Sequence, residues 1–475
     1  MRKLLILIHR YLGIVFCLLF VTWFISGIAM IYARGMPALT AETRLERLPP
    51  LNPSAIHLTP DEALTRAELG PPGSADLVTI LNRPAYRFDG ITVFADDGEL
   101  LEVTPELAAE AARLFMQLPQ ERIRAAGTLR DVDQWTIGKR EHTPLYKFEV
   151  DDAEGTELYV SGFLGEVIVM TTRASRRLAW VAAIPHWFYF EWLRTRLQLW
   201  RQVILWTSGL GTLAALIGLV LAVLQFRRRS PHIPYKGWLR WHYITGVVFG
   251  AFTVTWVFSG FLSVEPWYWA SDGAVGGPQA AALQGGELAL QDFPVGLPEL
   301  SETSGAKEVE FLKIQGESYY RVPNGVSTST LIAAPLLLVR NDPFHPESLV
   351  ERVLAPNPEL KILEASLLED YDSYYYAFER RAPLPVLRIK FDDPESTWLY
   401  IDPQMSQLVG RAHRRERIQR WIYRGFHSLD FAFWYYNRPA WDIGVIFLSL
   451  GGTLLSVIGI VIAWKRVWRA VTRSA

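Results

Sequence analysis

Charged residues are missing from four stretches of the chain. Between Arg10 and Arg34 run 23 residues without Asp, Glu, Lys or Arg, and between Arg201 and Arg227 run 25. The intervals from His242 to Glu265 and from Asp442 to Lys465 hold 22 each. About 20 apolar residues in a helix cross the hydrocarbon core of a bilayer, so the pattern predicts four transmembrane helices, over 4–33, 201–227, 238–264 and 442–465. The first opens Met1-Arg2-Lys3 like a signal peptide. Its length and the lack of a small-residue cleavage site before Gly35-Met36-Pro37 predict a retained anchor instead.

The flanks of these spans set the expected orientation. Arg2, Lys3 and Arg10 precede the first; Arg227, Arg228, Arg229, Lys236 and Arg240 surround the link over 228–237; Lys465, Arg466, Arg469 and Arg473 fall at the end of the last span and in the tail over 466–475. These are 12 basic residues with no acidic one among them. Positive flanks stay in the cytoplasm, which predicts cytoplasmic termini and link. Of the 48 basic residues that leaves 36 against all 49 acidic ones, so the long segments 34–200 and 265–441 read as acidic outer domains, periplasmic in a double-membrane bacterium.

Within those segments the polarity period changes. Thr59-Pro60-Asp61-Glu62 has the form of a capping box with proline in the first turn, predicting a short helix to Leu69. Alternating runs at Val78–Leu81, Ala85–Phe88 and Ile91–Phe94, with Asp97-Gly98 as a turn, predict strands. A second hairpin pairs Leu145–Val150 with Glu157–Val160. The outer domains therefore read as α+β, and the Gly/Ala-rich stretch from Gly273 to Gly286 as a surface loop.

The pattern also repeats. At an offset of 233, His9, Gly13, Phe16, Thr22, Trp23, Ser26 and Gly27 recur as His242, Gly246, Phe249, Thr255, Trp256, Ser259 and Gly260. At 234, Ile80–Phe88 faces Ile314–Val322; at 241, Arg173, Trp180, His186, Phe190, Trp200, Gly211 and Gly218 face Arg414, Trp421, His427, Phe431, Trp441, Gly452 and Gly459. The chain reads as one unit of helix, outer domain and helix written twice. Both copies start inside, which predicts a pseudo-twofold axis along the membrane normal.

Composition narrows the chemistry. Half the residues are apolar and 18 are Trp, while Lys+Arg 48 nearly balances Asp+Glu 49, which argues against disorder and against a nucleic-acid binder. A single cysteine, Cys17, excludes an internal disulfide, a cysteine-rich metal set and the CxxCH of covalently attached haem. No phosphate-binding loop or dinucleotide fingerprint follows a strand. Metal chemistry would rest on the nine histidines and the carboxylates.

His9-Arg10-Tyr11-Leu12-Gly13 opening a helix that ends Ser26-Gly27, the Arg83–Phe88 stretch RPAYRF, then DDPESTWLYIDP (Asp392–Pro403), RWIYRGFHSLDF (Arg420–Phe431) and RPAWDI (Arg438–Ile443) together resemble the PepSY-associated transmembrane proteins. The likeness covers nearly the whole chain. It departs at Gln404-Met405-Ser406-Gln407, where the family usually has a Thr-Gly turn. The resemblance implies four transmembrane helices with two PepSY-like domains. It also implies two non-covalent b-type haems and reduction of ferric siderophores in the periplasm, although other members have no assigned activity.

Four of the nine histidines recur between the halves. On residues alone, His9 and His242 read equally as interfacial side chains reaching the headgroups, and His186 and His427 as members of an aromatic belt. Gly13 and Gly246, four residues on, would leave a flat gap beside the first pair. With the resemblance, His9 with His242 and His186 with His427 become the expected haem ligands. His57, His142, His232, His345 and His413 read as surface residues. Trp23 and Trp256 read as packing residues near mid-membrane that could also lie between two haems; Arg173, Arg414 and Arg177 as partners of propionates or of lipid headgroups.

The leading expectation is an inner-membrane electron carrier, an iron-chelate reductase. It would take electrons from a cytoplasmic or membrane donor and pass them to a ferric siderophore or other periplasmic iron chelate. A membrane-anchored binding or regulatory module without redox activity is the main alternative. Transport is disfavoured because no Asp, Glu or Lys interrupts the four apolar intervals.

Overall fold

The computed structural model describes residues 2–33, 35–226, 232–267, 276–293, 305–334, 336–376 and 382–474. Arg34, Arg227, Arg228 and Arg229, and residues 273–275 of the Gly/Ala-rich stretch, lie outside the described residues.

Among the described residues four helices are long and apolar enough to cross a membrane: Arg2–Ala33, Leu197–Gln225, Trp238–Leu262 and Ala440–Ser474. Each is apolar on all sides, so its outward face carries bare hydrophobic side chains such as Leu18, Val223, Val247 and Phe447. Where helices meet, small residues let the backbones approach: Ser26, Ser208, Gly211, Ala214, Thr253, Ser259, Ser449 and Ser456 are buried. The first helix packs on the second and fourth, and the third packs on the same two. Residues 174–196 and 415–439 belong to this helical unit, so the second unit ends at Arg173 and Arg414 rather than at 200 and 441.

The second unit, Pro37–Arg173 with Ser271–Arg414, holds three antiparallel sheets among the described residues. The first half supplies β1 (Ala75–Ile80), β2 (Arg83–Phe88), β3 (Ile91–Phe94), β4 (Ile123–Leu129), β5 (Leu145–Val150), β6 (Glu157–Ser161) and β7 (Val167–Thr171). The second supplies β8 (Glu308–Ile314), β9 (Glu317–Pro323), β10 (Ser329–Ala333), β11 (Leu338–Arg340), β12 (Ile362–Leu368), β13 (Val386–Phe391), β14 (Trp398–Asp402) and β15 (Gln407–Ala412). β4 to β7 and β12 to β15 each form a meander, while the third sheet runs β11-β10-β9-β8-β1-β2-β3 and joins the two halves. Its core is aromatic, with Tyr86, Phe88, Phe293, Phe311 and Tyr320 buried in mutual ring contact.

The join is the antiparallel ladder of β1 with β8, in which Asp76 faces Glu310, its equivalent at the offset of 234. Two acids side by side need cations. Arg87 lies 3.5 Å from Asp76 and 2.6 Å from Glu166, Arg321 pairs with Glu310, and Arg44 lies 2.8 Å from Glu308. Burial still pushes the Asp76 carboxyl up to about 6; Arg87 pulls it the other way, and Glu308, Glu166 and Glu310 add to the rise.

Local signals explain most of the elements. Thr59 and Glu62 form the full capping box on the helix Pro60–Arg66. Asp97 and Gly98 close the turn after β3, with Gly98 N–H donating to the Phe94 carbonyl. The expected loop from Gly273 to Gly286 is in part a helix, Pro278–Gln284, started by Pro278 and stopped by Gly285 at φ +79°. The glycines at its ends obscured the helix-forming run QAAALQ between them. The amphipathic helix Pro105–Met116, capped by Thr104, is a further element that strand periodicity did not predict. At the departure noted above, Ser406 adopts φ +46°, where its counterpart in the first half, Gly165, has φ +63°.

Candidate functional site: two histidine pairs in the helical unit

His9 stands two turns into the first long helix and His242 one turn into the third. Their ring centroids are 6.2 Å apart at an interplanar angle of 38°. The Nδ1 of His9 lies 2.9 Å from the Ala214 carbonyl on the second helix. A carbonyl only accepts, so Nδ1 carries the proton and Nε2 keeps its lone pair. His242 turns its Nδ1 towards the carbonyl of Leu455, the counterpart of Ala214, without completing a hydrogen bond.

Both rings line a cavity of about 930 Å³ enclosed by all four long helices, a volume in the range of cofactor sites. Gly13 and Gly246 line it as well. A Cβ on Gly13 would meet no protein atom within 4 Å, and one on Gly246 would meet only Leu455 at 3.8 Å, so both glycines keep open space beside the imidazoles. Gly218 and Gly459 act from the other side: a Cβ on Gly218 would lie 2.8 Å from Cε1 of His9, and one on Gly459 2.6 Å from Sγ of Cys17 and 3.8 Å from Cε1 of His242. Arg10, Lys236, Lys465, Arg466 and Arg469 supply the charge on the cavity wall, with no acidic residue among its lining.

The second pair reaches its place by a fold-back. A straight helix from His186 into the second long helix would carry it about 17 Å beyond the start at Leu197, but the short helix Ala183–Trp187 stops at Phe188, which is left-handed at φ +53°. Leu429, at φ +52°, stops the helical turn around His427 in the same way. Indole donors then hold each fold-back, Trp200 Nε1 on the Trp187 carbonyl at 2.9 Å and Trp441 Nε1 on the Ser428 carbonyl at 3.0 Å. His186 and His427 come to a centroid separation of 5.9 Å at 58°. Burial, with the neighbouring His427 adding to it, holds His186 below the usual histidine range, and burial does the same to His427; both rings are neutral.

Nδ1 of His186 lies 3.1 Å from Ser26 Oγ, and Nδ1 of His427 lies 2.9 Å from Ser259 Oγ. Ser26 and Ser259 each stand 17 residues after His9 and His242, about 25 Å along the helix. The two histidine pairs therefore sit towards opposite ends of the bundle. Phe16, Phe20, Trp23 and Phe188 run between them in successive ring contacts of 6.3, 6.3 and 5.8 Å, and Phe24 lies 5.7 Å from Trp256.

The other candidates lie elsewhere. Arg173 packs its guanidinium on the turn at Gly155 and donates its N–H to the Glu154 carbonyl, which ties it to the second unit; Arg414 makes the same main-chain bond to Glu395. His413, expected at the surface, is half-buried 3.0 Å from Thr397 Oγ1 and 3.1 Å from Glu395. His57 contacts the Asp96 carbonyl, His142 lies beside Glu141, His232 stacks on Phe226 and His345 occupies the position before the helix Pro346–Leu354 without a side-chain capping bond.

The residues fit the group expected of them. At 6.2 and 5.9 Å between ring centroids, the two imidazoles of each pair are close enough that both would reach one metal ion. No group of three or more His, Cys, Asp or Glu able to hold a metal occurs among the described residues. Trp23 and Trp256 also bury indole N–H groups that have no acceptor.

The sequence shows Gly218 with Gly459 and Ser26 with Ser259 as recurring pairs, at the offsets that single out the histidines, but assigns none of the four a role. In comparisons with known proteins, the family model described as the PepSY-associated TM region matches residues 6–466. No curated protein matches the chain.

Proposed function

We propose that this chain, which belongs to the PepSY-associated transmembrane family, is a multi-pass b-type cytochrome that carries electrons across the bacterial inner membrane to a periplasmic ferric chelate. His9 and His242 would hold the inner haem, and His186 and His427 the outer one. The observation that carries this reading is the recurrence of one geometry at two levels: histidine pairs at 6.2 and 5.9 Å, built from equivalent positions of the two halves. Duplication about an axis along the membrane normal accounts for it, because residues near such an axis meet their own counterparts. Within the other unit, Asp76 likewise faces its counterpart Glu310.

Bound haem supplies reversible one-electron chemistry; the protein supplies position and environment. The four imidazoles offer lone pairs from fixed rings, and the aromatic file from Phe16 to Phe188 keeps water out of the space between the two levels. Cytoplasmic cations around Arg10 and Lys465 favour acidic groups at the inner site. At the outer side a ferric chelate would accept one electron, and Fe²⁺, being softer and less charged, is held less well by hard oxygen ligands. No acid or base residue is needed for that step.

The test is a reduced-minus-oxidised spectrum of the purified full chain with haem counted per polypeptide. Two low-spin b-type haems per chain, and a ferric chelate reduced when the haems are reduced, are expected. A colourless protein at full yield from haem-sufficient cells would favour the anchored binding module.

A further inference from the structure

We propose that Ser26 and Ser259 are positioning residues that fix the tautomer and ring orientation of His186 and His427. The inference rests on the haem reading above and assigns a task to the Ser-Gly motif that ends the first and third spans.

A carbonyl acceptor beside each hydroxyl sets the direction assigned to each hydrogen bond. Ser26 Oγ lies 3.1 Å from the Trp23 carbonyl and Ser259 Oγ 2.8 Å from the Trp256 carbonyl. A carbonyl cannot donate, so each hydroxyl spends its proton there and presents only lone pairs to the histidine. Nδ1 of His186 and of His427 must then be the donor, at 3.1 and 2.9 Å. With the proton held on Nδ1, Nε2 carries the lone pair that a metal needs. Both serines are buried, at 1% and 0% exposure, so water cannot replace them.

A hydroxyl bonded to a carbonyl three residues back is common in membrane helices, and alone it would mean nothing. Here the same relay, tryptophan carbonyl to serine to histidine, occurs twice at equivalent positions and ends each time on a ring facing its counterpart. At the inner pair His9 uses the main-chain carbonyl of Ala214 alone, whereas His186 and His427 have a serine hydroxyl beside the carbonyls of Trp23 and Trp256. Side-chain substitution at Ser26 or Ser259 should therefore affect the outer site alone. Gly27 completes the arrangement for His186, because a Cβ there would stand 3.4 Å from its Cε1.

The experiment uses the full chain with Ser26→Ala, Ser259→Ala, the double variant and the corresponding Thr variants. Haem-depleted protein is titrated with hemin, and the absorption spectrum and midpoint potential of each haem are recorded. Loss of a partner that orients a metal-bound histidine costs about ten- to a hundred-fold in affinity. The Ala variants should show that loss at one of two haems, with a shifted potential for that haem, and Thr should restore both. In a His427→Ala background, Ser259→Ala should change nothing further in the remaining haem. Ala variants that match wild type in outer-haem affinity, spectrum and potential overturn the inference while leaving the di-haem reading intact. Thr variants that fail like Ala also overturn it, since they keep the hydroxyl. A wild-type chain that takes up no hemin removes the premise and the inference together.

Discussion

Asp76→Asn tests the account of the second unit through its dependence on pH. Asp76 is about one-fifth exposed, Arg87 lies 3.5 Å away but binds Glu166 more closely at 2.6 Å, and Glu308 and Glu310 stand on the paired strand β8. Burial therefore dominates and raises the carboxyl from 3.8 to about 6. A carboxyl with a raised folded-state value holds its proton more tightly in the folded form. The stability it contributes is full below about pH 4 and lost as pH rises through about 6. A difference of about two units at 1.36 kcal/mol each gives about 3 kcal/mol, reduced to about 2 kcal/mol by the partial exposure of the group. Asparagine keeps the shape and cannot ionise, so the variant should match wild type near pH 4 and exceed it by about 2 kcal/mol at about pH 8. At about 2 °C per kcal/mol for a unit of this size, the melting difference at the higher pH is about 4 °C. Thermal unfolding of the full chain in detergent, resolved by hydrogen exchange of peptides covering β1 and β8, would measure it. An Asn variant less stable than wild type at the higher pH would mean that Arg87 makes the charged carboxylate favourable, and the reasoning from burial would be wrong.

Other outcomes follow from the helical unit. His427→Ala should remove about one haem per chain and leave the other; His9→Ala should remove the inner one and block supply from the cytoplasm, while an added impermeant reductant still reduces the outer haem. Spectra of the single variants check both. Gly218→Ala, whose Cβ would stand 2.8 Å from His9 Cε1, should weaken the inner haem and destabilise the haem-free protein by about 1–3 kcal/mol. Gly13→Ala, with open space at its Cβ, should weaken the haem without that cost, as hemin titration and melting of the haem-free form would show. Reporter fusions should give an outer-compartment signal only within about 35–200 and 266–441; a signal from the Arg228 link would refute the orientation.

The histidine pairs were legible because a fixed offset is a geometric statement: His9 with His242 and His186 with His427 were expected as pairs before any contact was known. The four apolar intervals gave the long helices for the simpler reason that lipid tolerates little else. The fold-backs at Phe188 and Leu429 left no trace, since a left-handed residue is usually announced by glycine or asparagine and these positions hold bulky apolar side chains. The union of β1 with β8 was hidden for another reason. Local alternation identifies a strand but not its partner 234 residues away, and Asp76 beside Glu310 looks repulsive until Arg87 and Arg321 are placed. Helix Pro278–Gln284 was lost to the glycines around it.

The ladder between β1 and β8 implies something about chains of half this length. An antiparallel pairing centred on equivalent residues is self-complementary, so a polypeptide carrying only one helix–domain–helix unit would display the β1 edge with nothing beside it. A second copy would cover that edge by the same register, aspartate facing aspartate. Such a chain would be incomplete alone and whole as a homodimer. In the present protein the covalent link makes that association unimolecular, and it frees the two halves to diverge, as Asp76 and Glu310 already have.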